Sequence, residues 1–408
     1  MPNIIYALST RQVAGLWTTA IHALHTTSIE ALATTQVAVL NAAQINAFTS
    51  TDLQFLVTTQ VQALSPSVIS ALLDLQIQSF TTSQISELTS SQVNQLTASQ
   101  IGALTPDELQ NLSTTQANAL TATQFGSLST TVLNNLTTTQ AAALSTTQVQ
   151  GLTTTQLNGL STDNLDVIDS VKFTTTQVAG LNTTAIGNLT TTQVGTLTTD
   201  QVAALNAAQI GQLTITELTT LSTTQANALT GTQLGSLTTT VLNNLTTTQA
   251  AALSTAQVQG LGWSQLNNLS LSNLDALDVA KLSPAQVVGL KSTTVANLSS
   301  DQVASLTAAQ IGALLAAAFD TFTTTELAAL TLSQAGALTS AQIAGLTTTQ
   351  FSALTSTTGI PGLSTAAIGG ISTDDINNLT TTQGNAFIPS QIGVMSFDQA
   401  SALAILIG

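Results

Sequence analysis

The chain has 408 residues, with four Lys or Arg, nineteen Asp or Glu, a formal net charge of -15 and no cysteine. So few cations exclude a surface built to hold nucleic acid. The missing thiols exclude disulfides, thiolate nucleophiles and zinc–thiolate sites. Yet 43% of residues are apolar and only 6% charged, so this is not a charge-rich disordered chain.

The chain opens with MPNIIYALSTRQVAGL, which lacks the basic segment and apolar run of a Sec signal peptide. If the protein is exported, its signal is expected elsewhere, at the C-terminus. From Leu8 a large apolar residue falls on every eighth position, through Leu16, Leu24, Leu32, Leu40 and Phe48 to Ile168. Five residues intervene and the frame resumes at Phe173, running to Leu277. A second five-residue slip reaches Leu282; the frame then holds to Leu354, takes one nine-residue unit to Leu363, and continues to Leu403. The chain therefore reads as one continuous repeat body, 1–408, with sub-blocks 1–168, 169–277 and 278–408. No apolar run approaches the roughly 18 residues of a membrane span.

The consensus unit is S/T-T-T-Q-V-A-A-L. Its apolar residues stand at the fifth and eighth positions. In a strand those would face opposite ways; in a helix they are i,i+3 neighbours on one face. Three signals place a helix start in the same frame. Gln or Glu occupies the fourth position in 34 of 49 units, at capping-box spacing from the first-position Ser or Thr. Five of six prolines stand at the second position, where a helix tolerates them (Pro2, Pro66, Pro106, Pro284, Pro389). Twelve of nineteen acids stand at positions two to four, where the helix dipole favours anions.

One uninterrupted helix is excluded, because an eight-residue repeat drifts about 80° per unit and forms no seam. The expected fold is an all-α solenoid of short two-turn helices, one per octad, each held by its neighbours. The alternative is a β-solenoid. Sixth-position glycines recur 24 residues apart (Gly102 and Gly126; Gly187, Gly211 and Gly235; Gly312 and Gly336; Gly369 and Gly393). That interval points to three octads per coil, a triangular prism with close approach at the glycines. Coils about 8–10 Å apart would make a rod on the order of 150 Å long.

The segment 114–152 returns at 223–261, offset by 109 residues, and the slips correspond: NLDVIDSVKF at 164–173 and NLDALDVAKL at 273–282. These carry Asp166, Asp169 and Lys172, then Asp275, Asp278 and Lys281. They read as a bend with a local Asp–Lys pair. The sharper alternative is a cation site from Asp166, Asp169, Asp275 and Asp278, which would need backbone carbonyls to complete it.

Elsewhere the chemistry is sparse. His22, His25 and Glu30 are close in sequence but straddle a corner and read as solvated positions, not as metal ligands. Trp17 and Trp263 stand at corners and read as packing or capping groups. Asn-x-Ser/Thr sequences (Asn135, Asn182, Asn188, Asn244, Asn297, Asn378) arise mostly from the repeat junction itself. No catalytic or nucleotide-binding motif stands in the sequence. We expect no enzyme activity, no cofactor and no resident metal.

The pattern L-[ST]-T-x-Q-[VI]-x-x, as in LSTAQVQGL at 253–261, resembles the octapeptide tandem tracts of large secreted or surface repeat proteins of bacteria. Some of those look like adhesins and type I secretion substrates. The resemblance implies an extracellular or cell-surface location, with a cytoplasmic one as the alternative. The expected role is a non-catalytic spacer, adhesin or self-assembling element. Its partners would be further copies of itself, or cell-surface or matrix components, and not nucleic acid. The alternative is ice or carbohydrate binding through regular Thr rows.

Overall fold

The computed structural model describes residues 5–408. The chain forms two compact units, Met1–Leu205 and Asn206–Gly408, divided at an octad boundary. Each is a stack of one repeating three-sided turn.

Most octads fold the same way. In 81–88, Thr81 is extended (φ -74, ψ 156), and its hydroxyl accepts from the Gln84 N–H. The helix Thr82–Ser86 follows, and the Leu88 N–H closes it onto the Ile85 carbonyl at 3.2 Å. That closing bond is of the tight 3₁₀ type. Position eight and the next first position are then extended, which makes the corner. Among the described residues none has positive φ, so no corner needs a left-handed glycine. The first-position hydroxyl caps, the prolines at N1 and the first-turn acids stand where the frame puts them, except that the Ser65 hydroxyl meets Ser67 and makes no cap bond. Pro2 lies outside the described residues.

The structure contains 47 α-helices and four 3₁₀ helices among the described residues, and no strand. The all-α solenoid therefore holds and the β-solenoid is overturned. The helices are shorter than two turns. Apart from the last, Phe397–Ile407, each α-helix has four to six residues, because cap and closing turn use the rest of the octad.

Helices three sides apart stack. Pro66–Ile69 lies on Ser90–Gln95, and Ala122–Ser127 on Thr146–Gly151. In the second unit Gly231–Ser236 lies on Thr255–Gly260 and Ala308–Ala313 on Leu332–Gly336. Three sides per coil is thus the rule. Positions five and eight fill the interior: Ile85 and Leu88 are 0% and 2% exposed, Leu136 and Leu144 6% and 2%. One such side chain contributes about 1.5–3 kcal/mol by burial. No helix of four to six residues could persist without it.

The glycine interval gives the right coil for a different contact. Gly102, Gly187 and Gly369 face open space. The close approach runs from position six to position seven one coil on: a Cβ on Gly126 would stand 2.6 Å from the Gly151 carbonyl oxygen, and one on Gly235 would meet that of Gly260.

Candidate functional site

The most distinctive chemistry of the molecule is buried inside the coils. Gln84 is 3% exposed and uses both ends of its amide. Its Oε1 accepts from the Thr81 N–H of its own cap at 2.8 Å. Its Nε2 donates to the carbonyls of Leu53 (2.8 Å) and Leu56 (2.6 Å), at the corner one coil below. Gln92 does the same to Val61 and Leu64, and Gln310 and Gln342 repeat it in the second unit. The position-five carbonyl also takes the closing bond of its own turn, as Leu53 does from the Leu56 N–H, whereas the position-eight carbonyl lies past the helix end and takes no backbone bond there. One side chain therefore finishes the start of one helix and the end of another. Where the first residue lacks a hydroxyl, as at Ala33 and Val57, the Gln oxygen still accepts its N–H.

A second ladder runs the other way on the outer edge. Position-six side chains donate to position-seven carbonyls one coil on: Asn46 to Ala71 at 3.0 Å, Asn94 to Ala119 at 2.8 Å, Asn243 to Asn268 at 3.0 Å. His22 belongs to this series; its Nδ1 donates to the Ala47 carbonyl at 3.0 Å. The sequence frame marked position six only as small or polar, so this ladder was not foreseen.

The five-residue slips are not bends between sides; each is a side. Segment 169–173 forms the 3₁₀ helix Ser170–Lys172, stacked between Thr146–Gly151 and Thr191–Thr196. Segment 278–282 forms Val279–Lys281, stacked between Thr255–Gly260 and Ser300–Ser305. Asp169 and Asp278 cap them, accepting from the N–H of Val171 and Ala280 at 3.2 Å. Lys172 and Lys281 stand where an octad has its Gln. Their ammonium groups donate to the carbonyls of Leu144 (2.7 Å) and Leu253 (2.6 Å) one coil below. The expected Asp–Lys pair forms in the second slip, with Lys281 and Asp278 at 3.5 Å. Among the described residues no ion pair joins Asp169 to Lys172.

Of the other candidates in these segments, Asp275 is exposed and Asp166 half-buried, with an Oδ1 that meets no partner. Burial, and then the charge of Asp163, raise the Asp166 carboxyl above its ordinary value. Among the described residues no three His, Asp or Glu side chains gather as ligands for a metal. His25 and Glu30 are exposed. Trp263 packs over Gly289, where a Cβ would strike the indole, and its Nε1 donates to the Ala285 carbonyl at 3.2 Å. Trp17 stands at a cap position without capping through its side chain and is 82% exposed. An open depression of about 650 Å³ on the first unit is lined by Pro66, Ser67, Ser90, Ser91, Asn94, Gln95 and Ala119. Its hydroxyls and amides can hydrogen-bond, but its lining contains no acid or base.

These bonds repeat from side to side one coil apart, and the sequence repeats with them. A family model described as the ALTTAQ repeat matches residues 271–316, a stretch that includes the second slip. The chain is a tandem-repeat protein. No curated protein matches it. No helix among the described residues is long and apolar enough to cross a membrane.

Proposed function

We propose that this repeat protein is a non-catalytic structural element, a spacer or adhesin at the cell surface or outside the cell, that associates with further copies of itself. The observation that carries the reading is the use of its polar groups. The buried glutamines and the lysines of the two short sides hold coil to coil, and most of the acids sit at helix starts. What such a chain offers outward is a weakly charged surface of Thr, Ser, Asn and Gln. Low charge weakens the repulsion that keeps copies apart.

Antibody labelling and surface proteolysis of intact cells test the location; protection equal to that of a cytoplasmic marker would overturn it. Sedimentation of the intact chain over a hundredfold concentration range tests the association. The expected result is growth of larger species with concentration, and a constant monomer would overturn it.

A further inference from the structure

Four acids stand at position six, where the outer ladder places its donors: Glu30, Asp166, Asp275 and Asp320. A carboxylate there has no hydrogen to give. Glu30 and Asp275 are exposed and can turn to water. Asp166 and Asp320 are half-buried, and each keeps one buried Oδ1 that meets no partner. Asp320 leans on Gly345, 25 residues on, where a Cβ would collide with both carboxyl oxygens. That offset is the one at which Asn46 and Asn94 reach a carbonyl. Asp166 precedes the first short side, across which the offset becomes 22, as from Asn158 to the Gly180 carbonyl. The same count from Asp166 reaches Asn188, whose side chain extends to Thr162 on the Asp166 helix.

We propose that Asp166 and Asp320 are proton-operated clasps between successive coils. Protonated, each donates its carboxyl O–H to the carbonyl one coil on, as an asparagine does at this position; ionised, each leaves that link open and holds an unmet charge against the neighbouring coil. The stacked elements offer little to neutralise that charge. Around Asp320, the helix Ser340–Gly345 carries no titratable group. Lys291 caps Ser292–Val295 without an ion pair to Asp320, and Glu326 follows on the next side. Around Asp166 stand Asp163 on its own helix and Asp169 and Lys172 on the short side, with Lys172 held by Leu144. The helix Thr138–Ala142 stacked on the Asp166 helix carries none, and neither does Thr183–Gly187, whose following residue Asn188 reaches Thr162.

Burial raises both carboxyls above the ordinary 3.8, so the folded chain holds these protons more tightly than the unfolded one. The resulting stabilisation is complete below pH 3.8 and is lost as pH rises through the folded values. The clasps therefore close as pH falls and open as it rises.

Thermal unfolding of the full chain, followed by circular dichroism at pH 7 and pH 3, tests this with D166N, D320N and the double variant. An asparagine is a clasp closed at every pH. The double variant should exceed the wild type by about 1–3 °C at pH 7, with the difference closing by pH 3. D301N, which changes an exposed first-turn acid, should show no such closing difference. A difference equal at both pH values, absent at pH 7 or reversed in sign overturns the proposal. The single variants report separately, so one that fails to fold leaves the other to decide.

Discussion

At the scale of the residue, the fourth-position glutamine separates two demands that the capping box alone would merge. The box asks only for an oxygen, and Glu meets it: Glu217 accepts from the Thr214 N–H at 2.7 Å. Only the amide also donates to the coil below. Gln84→Ala should therefore destabilise by about 3 kcal/mol, since it strips a cap and leaves the Leu56 carbonyl unmet. Thr81→Ala should destabilise by about 1 kcal/mol. Equal values in urea titration would mean that the inter-coil bonds contribute nothing. Conversely, Glu217→Gln should stabilise by about 1 kcal/mol by restoring the donor; a lower urea midpoint would count against the ladder. The capping half of this role was legible from spacing. The inter-coil half left a trace in the frame, where Gln fills position four far more often than Glu although a cap tolerates either. Its partners lie 28 and 31 residues back, beyond any local pattern.

At the scale of the element, an octad, a five-residue piece and a nine-residue piece all serve as one side. Counted by residues, the short pieces look like interruptions. Parsed by sides they are regular members, because a 3₁₀ turn capped by Asp spans an edge and a lysine stem reaches where the glutamine did. The nine-residue unit 355–363 likewise holds its place: Gln383 donates to the Leu354 carbonyl at an offset of 29 instead of 28, and Gln391 returns to 28 at Leu363. Lys281→Met keeps the stem and removes the donor. It should destabilise by about 1–2 kcal/mol, read by urea titration, with Lys281→Gln too short to recover it. Full recovery by Gln would show that the long reach is unnecessary.

At the scale of the whole molecule, the inter-coil bonds described above span no more than 31 residues, so each coil is fastened only to its immediate neighbours. Stability should then behave as a sum over coils. Leu136→Asp and Leu144→Asp should each melt the few coils around them, while Thr138→Asp on the exposed edge should change stability by no more than about 0.5 kcal/mol. Hydrogen exchange read by mass spectrometry would show protection lost near the first two substitutions and kept at 283–354. Loss over the entire chain would refute local fastening. The inside–outside assignment was fully legible, because a fixed eight-residue frame leaves no freedom in which positions meet. The three-sided coil was reached from glycines that turned out not to touch one another.

The interchangeability of five-, eight- and nine-residue sides bears on how such a chain can change its length over generations. A stretch of gene made of near-identical octads invites slippage and unequal exchange during copying. In most proteins an in-frame insertion of eight residues would misplace everything after it. Here each residue finds its partners by counting sides backward from itself, so an added or lost side renumbers the chain but leaves the bonds of later coils intact. The constraint on inheritance falls on the grammar of one side: a cap, a long donor and two apolar groups.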